Sequence, residues 1–266
     1  MNTASYFYVF QGVLRREFSR FFQQKARLIS SLVRPLLWLI VFASGFRSAL
    51  GLAIIPPYHS YISYPVYITP GLVGIIILFN SMQNSLSMVY DREMGSMKVL
   101  MTSPVPRAFL LISKLLTSAF ISLVQVWAFL IIAYFCGIEL PLKGFVILTP
   151  AVLLGSMMLG AIGLLLSSMI KQLENFAGVM NFVIFPLFFL SSALYPLWKM
   201  KESSEIVYYI CLFNPFTYIV ELIRFSLYST MNFEALAITL FGTLGFLSLA
   251  IFSYQTKGSN AKARQS

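Results

Sequence analysis

Three stretches of this chain, 66–90, 146–170 and 175–195, contain no Asp, Glu, Lys, Arg or His at all. A helix needs about 20 consecutive apolar residues to cross the hydrocarbon of a bilayer. There each backbone polar group must be bonded within protein, which favours helices over open strands. Composition points the same way. The 266 residues are 58% hydrophobic and 11% charged, against about 25% charged in soluble domains. The fold class expected is all-α: a polytopic membrane protein with six transmembrane helices at about 28–50, 66–90, 108–136, 146–170, 175–195 and 233–254.

A seventh apolar stretch, 206–228, is interrupted by Asn214-Pro215 and then carries Glu221 and Arg224. Proline breaks the helical hydrogen-bond ladder, and charge at bilayer depth is expensive. Basic residues decide the count. They cluster at 15, 16, 20, 25 and 27, at 92, 98 and 107, at Lys171, and at 257, 262 and 264, whereas the alternate intervals hold Lys143, Lys199 and Lys201. With six spans every richly basic interval faces the cytoplasm, as does each terminus. The segment 196–228 is then outward. It dips into the membrane as two short helices broken at Asn214-Pro215, with Glu221 and Arg224 paired at i and i+3.

Residues 1–27 precede the first span. Phe7, Phe10, Leu14, Phe18 and Phe21 recur at three- and four-residue steps, with Arg15, Arg16, Ser19, Arg20 and Gln23 on the other side. That is the pattern of an amphipathic helix lying in the membrane interface; a plain positive-inside anchor is the simpler alternative. The apolar run from Leu28 is too long, and lacks the small-residue ending, for a cleavable signal. Residues 255–266 form a basic cytoplasmic tail. Ser156, Gly160, Ala161 and Gly163, and Gly242 with Gly245, let helices approach closely, within one chain or across a dimer.

The chemistry is conspicuous by what is missing. There is no G-x-x-x-x-G-K-[ST] phosphate loop and no carboxylate pair within a span. No metal spacing exists around the single His59, and Cys136 and Cys211 make no framework. A membrane enzyme acting on lipid therefore has no acid, base or nucleophile cluster to use. Arg34, Arg47, Lys114 and Glu234 lie towards span ends, where they can snorkel. Ion-coupled carriers usually hold acids or histidines at depth. If this chain moves a substrate, the energy enters from another subunit. The net charge of +10 orients the chain in the membrane and calls for no nucleic acid.

One polar island remains, Tyr90 to Arg107, punctuated by Gly95, Pro104 and Pro106. Asp91 and Glu93 stand at the start of a short helix, where acids favour the macrodipole, and the prolines end it. Such a helix, bracketed by two spans, could transmit a push from a soluble partner; a plain polar loop fits the same residues.

The order of residues is more specific. Arg92-Glu93-x-Gly95-Ser96, then Thr102-Ser103-Pro104-Val105 and Lys114, resembles the E-R-E-x-G-T, T-P-V and G-K signature of ABC-2-type permeases, the membrane subunits of type V ABC exporters. The stretch from Leu190 to Leu197 (Leu-Ser-Ser-Ala-Leu-Tyr195-Pro196-Leu) is similar to that family's L-S-G-x-x-[FY]-P. Asn214-Pro215-Phe216-Thr217-Tyr218 with Glu221 and Arg224 is similar to its N-P-[LF]-T-Y-x-[VI]-[DE]-x-[IL]-R. The blocks occur in family order across nearly the whole chain. Ser96 stands for the usual Thr, Lys98 for a common acid, Ser192 for Gly, and Ser113 precedes Lys114 in place of Gly.

The resemblance implies an exporter permease in the bacterial cytoplasmic membrane. It would be dimeric with itself or a close relative and bound to two ABC ATPase subunits, which carry the ATP and magnesium. The coupling contact would comprise Asp91, Arg92, Glu93, Gly95, Ser96, Pro104 and Arg107, with Phe10, Leu14, Arg15, Arg16 and Phe18 of the interfacial helix. Tyr195, Pro196, Asn214, Pro215, Tyr218, Glu221 and Arg224 would form a re-entrant outer gate. Asn181, Phe182, Phe185 and Phe189 either line a path for an amphipathic, lipid-linked or glycan substrate or face lipid. A stand-alone carrier or channel driven by an ion gradient is the alternative.

Overall fold

The computed structural model describes residues 3–45, 56–58, 62–95, 105–138, 140–170 and 172–263. Ten helices occur among these described residues: α1 Thr3–Gln23, α2 Lys25–Gly45, α3 Tyr64–Glu93, α4 Arg107–Phe135, α5 Leu142–Met169, α6 Leu173–Phe189, α7 Leu197–Ser203, α8 Glu205–Phe213, α9 Pro215–Leu227 and α10 Phe233–Ala263.

α3 is the central post. It packs against α2, α4, α5, α6 and α9, and Ile68, Leu72, Ile77, Leu78 and Met82 are fully enclosed. Pro65 opens the helix at a position where a missing N–H costs nothing. Gly95 closes it with φ of +74°; Met94 donates to the Tyr90 carbonyl and Gly95 to the Arg92 carbonyl. A left-handed residue after the last turn is the usual task of glycine. α5 fills the other half, packed on α3, α4, α9 and α10. Its small residues are used within the chain: Gly160 faces Leu115, Gly163 faces Ser85 and Gly155 faces Ile219. A membrane gives apolar helices no hydrophobic reason to associate, so such close packing holds the bundle together.

Among the described residues, four helices are long and apolar enough to cross a membrane unaided: Tyr64–Glu93, Arg107–Phe135, Lys143–Met169 and Phe233–Gln255. The α8–α9 pair, bent by 77° at Asn214, makes a fifth if counted as one span. One of the six expected spans is shorter than anticipated, and the end of another, 46–50, lies outside the described residues. The described apolar part of α2 is Ile29–Val41. The segment expected as a span over 175–195 is the 17-residue helix α6, which stops at Phe189. Leu190, Ala193 and Leu194 read as apolar membrane residues, but Leu190 leaves helical ψ and 190–195 folds as turns.

A second reading needs correcting. Asp91 and Glu93 stand at the end of α3, not at the start of a new helix. The macrodipole disfavours acids there, so Asp91 requires cations from elsewhere. Ser96 and Pro104, with the centre of the island, lie outside the described residues, as do His59 and Arg47.

Candidate functional site

α3 carries a polar knot at each end. Tyr67 and Asp91 are 24 positions apart, which at about 1.5 Å per residue is roughly 36 Å, a little more than the hydrocarbon thickness.

At the Tyr64 end the knot is built around the turn after α6. That turn leaves a series of carbonyls without helical partners, and side chains from three elements take them up. Asn214 Nδ2 donates to the carbonyls of Leu187 at 2.8 Å and Leu190 at 2.5 Å. Its Oδ1 meanwhile accepts from the Phe216 N–H at 3.0 Å and so caps α9. Arg224 Nη2 donates to Ser192 O at 2.8 Å; Tyr67 donates to the same oxygen and Tyr64 to Leu194 O, each at 3.1 Å. Ser191 Oγ accepts from the Ala193 N–H. Arg224, 2% exposed, also pairs with Glu221 and lies 4.2 Å from the Tyr67 ring centroid, an arrangement favourable for a cation in a dry site. Gly71 of α3 sits directly against the Ala193 backbone, where a Cβ would overlap the carbonyl. Tyr58, next to the knot, stacks edge-on to Tyr228 at 4.7 Å, and burial pushes its hydroxyl up to about 12.

Thus the structure brings Asn214, Glu221 and Arg224 onto the turn that precedes Tyr195 and Pro196, so the two sequence blocks meet in space. Pro196 is buried and opens α7; Pro215 opens α9. Tyr218 is part-buried beside the core and takes no share in the carbonyl network. Tyr64 and Tyr67 were missed. Their ring-and-hydroxyl chemistry at the start of a span was visible, but the recipient carbonyls lie 125 to 130 residues away.

At the Asp91 end the knot is ionic. Asp91, Lys114 and Glu17 are 2%, 4% and 7% exposed. Lys114 Nζ lies 3.0 Å from Asp91 and 3.8 Å from Glu17. Arg20 reaches Asp91 at 3.3 Å and Arg16 at 3.6 Å, while Arg16 also holds Glu17 at 2.7 Å. Two carboxylates from α1 and α3 are shared among three cations from α1 and α4. Burying Lys114 is tolerable only because it is paired, so it does not snorkel as anticipated. Asp91, assigned to a partner contact, is committed within its own chain. Glu17 and Arg20 were not singled out as site residues; the lone acid in a basic segment was the available signal.

α1 is docked by this cluster and by Val13, Glu17 and Phe21, a buried row at four-residue spacing, with Tyr6 edge-on to Phe109 at 5.0 Å. Phe10, Leu14, Arg16 and Phe18 are half-buried and Arg15 is exposed, as are Phe7, Tyr8 and Phe22. Part of the apolar face is therefore occupied by protein. Arg92 donates to Tyr254 Oη at 3.0 Å and to Ile170 O at 3.4 Å, tying α3 to α10 and to the end of α5; Tyr254 also bonds Ser167. Glu93 is exposed and Arg107 half-buried.

Asn181, Phe182, Phe185 and Phe189 are exposed on α6. Phe182 lines an apolar groove of about 700 Å³ between α6 and α8, with Ile206, Tyr209, Ile210 and Phe213 on its far wall. Phe185 and Phe189 stack with centroids 6.2 Å apart, and Phe189 meets Trp38 of α2. They do not enclose a channel within the single chain.

The family model for the ABC-2 type transporter matches residues 8–228. Proteins named as transport permeases, ycf38, are similar over most of the chain. That of Cyanophora paradoxa is 30% identical over 235 residues, 86% of this chain and 77% of the relative. Those of Porphyra purpurea and Pyropia yezoensis are 26% and 29% identical, over 81% and 84% of this chain and 72% and 74% of the relatives. The matched region takes in the ionic knot from Glu17 to Lys114 and the carbonyl knot up to Arg224, so both lie inside one shared unit. This chain, a multi-pass membrane protein, belongs to the ABC-2 type transporter family.

Proposed function

We propose that this chain is the permease subunit of an ATP-driven exporter. It crosses the membrane six times, with α2 and α6 completing the four longer spans, and acts as a pair with two copies of a soluble ABC ATPase that bind ATP and magnesium. Both termini and the ionic knot face the cytoplasm of a bacterial inner membrane. The carbonyl knot and the bent α8–α9 pair close the outer end as a re-entrant gate. The cargo is amphipathic, lipid-linked or glycan-like.

The observation that carries this reading is the ionic knot. α1 and both flanks of the 91–107 island are joined by shared charges, so a displacement of α1 or the island by a partner is delivered to α3 and α4 together. Glu93 and Arg15 are the exposed charges beside that unit. They are available to a partner, whereas Asp91 positions the helices behind them.

The test is co-purification of the full chain, expressed in its native cells, with an ABC ATPase subunit identified by mass spectrometry. Glu93→Lys reduces the retained ATPase by about tenfold, the loss of one good charged contact, while the chain's own melting temperature is unchanged. Full retention by Glu93→Lys sinks the assigned contact. A wild-type chain that binds no ATPase, and transports under an ion gradient alone, sinks the exporter reading.

A further inference from the structure

Arg34 lies where a charge is hardest to explain. Its guanidinium sits 3.8 Å from the ring centroid of Phe79, the midpoint of α3, and Arg34 is itself near the midpoint of α2. It was expected to snorkel from a span end; the structure sets it alongside the middle of the central helix. No carboxylate among the described residues pairs with it. Glu221, in the middle of α9, is already paired with Arg224. The chain has nine acidic residues, and none falls in the central part of α2, α3, α4, α5, α6 or α10. An ionised group within a membrane protein marks a path or binding site by default.

The surroundings form a cleft rather than a packed wall. Ser30, Ser31, Arg34 and Pro35 of α2, Phe79, Asn80 and Gln83 of α3, and Gln125 of α4 line it. Gln125 is 3% exposed, and its Oε1 has no hydrogen-bond partner, an unusual expense for a buried acceptor. The cleft thus offers a fixed cation and, beside it, a buried acceptor awaiting a donor. An acidic oxygen satisfies the first and a hydroxyl the second. Its enclosed part is only about 10 Å³, roughly one water. An oxyanion oxygen or hydroxyl can enter it in this conformation, whereas a whole sugar ring cannot.

We propose that Arg34, with Gln83 and Gln125, forms a mid-membrane recognition site for an oxyacid head group that carries a neighbouring hydroxyl, such as a glycerol phosphate or an acidic sugar. As a cargo site it rests on the exporter reading; as an anion site it does not. The guanidinium presents a planar fork of donors matched to carboxylate and phosphate oxygens, and Gln125 accepts from the hydroxyl.

The experiment uses the full chain in phosphatidylcholine nanodiscs, without ATP. Soluble glycerol phosphate is titrated by thermal shift, and retention of added phosphatidylglycerol is read by native mass spectrometry. Arg34→Gln weakens at least one probe by about tenfold, the loss of one charge-assisted contact. Arg34→Lys, which keeps charge without the fork, lies between, and Lys143→Gln at the exposed start of α5 matches wild type. Loss confined to the lipid arm assigns a lipid head group; loss in the soluble arm assigns a soluble cargo. Equal binding by wild type and Arg34→Gln in both arms, or an equal loss in Lys143→Gln, overturns the site. If Arg34→Gln does not fold, Gln125→Leu carries the test. It weakens glycerol phosphate severalfold and leaves inorganic phosphate unchanged; no difference between the two overturns the site. Because no ATPase takes part, a chain that binds through Arg34 yet recruits no ATPase counts against the exporter reading alone.

Discussion

The two ends of α3 solve the same problem with different chemistry. At one end a broken helix leaves carbonyls stranded, and Asn214, Arg224, Tyr64 and Tyr67 satisfy them with directed hydrogen bonds. At the other end Asp91 and Glu17 are shared by Arg16, Arg20 and Lys114. Directed bonds to fixed carbonyls permit one arrangement. Shared charges permit several, because a cation can move from one carboxylate to another at little cost. The carbonyl knot is suited to holding a shape and the ionic knot to passing on a displacement.

The comparison breaks most visibly at Arg224. Arg224→Ala leaves Glu221 unpaired and Ser192 O short of a donor, and it destabilises the chain by about 3–5 kcal/mol, read as lost folded yield and a lower melting temperature in detergent. A variant that folds normally would mean that this knot is not structural. Gly71→Ala comes next. The added methyl meets the Ala193 backbone, which cannot swing aside as a side chain could, so overpacking costs about 3 kcal/mol and is again read by melting temperature.

Asp91→Asn tests the other end. It removes the nearest anion from Lys114 and Arg20 and costs about 2 kcal/mol. The distinguishing readout is hydrogen exchange: α1 amides over 6–23 gain exchange while those of 190–197 do not. Equal loosening at both ends would show that the knots are one cooperative unit. Tyr67→Phe removes one of two donors to Ser192 O and costs about 1 kcal/mol. The smallest effect is that of salt. Arg16 and Arg20 are partly exposed, so raising ionic strength loosens α1 by under about 1 kcal/mol. The same change leaves exchange in the carbonyl knot unaltered.

Much of this was legible along the chain. The long spans announced themselves through absent charge, and Asn214-Pro215 as a break, because each depends on local chemistry. The turn at 190–195 was not legible. Leu, Ser and Ala look like continuing helix, and nothing in a side-chain inventory shows that these backbone carbonyls will accept hydrogen bonds from tyrosines more than a hundred residues earlier. Asp91 was misread for the same reason. Its placement at a helix start was reasonable by dipole alone, and cations from α1 and α4 outweigh that preference.

Sequence alone therefore determined that the chain is helical, where charge is admitted, and which short blocks carry polar chemistry, since burial in hydrocarbon is decided residue by residue. Tertiary structure decided which blocks meet. It also decided that Lys114 is buried in an ion cluster, and that Arg34 stands against the middle of α3 beside a polar cleft, with no acid among the described residues paired to it. Those outcomes depend on packing between helices distant in the chain, and no single segment encodes them.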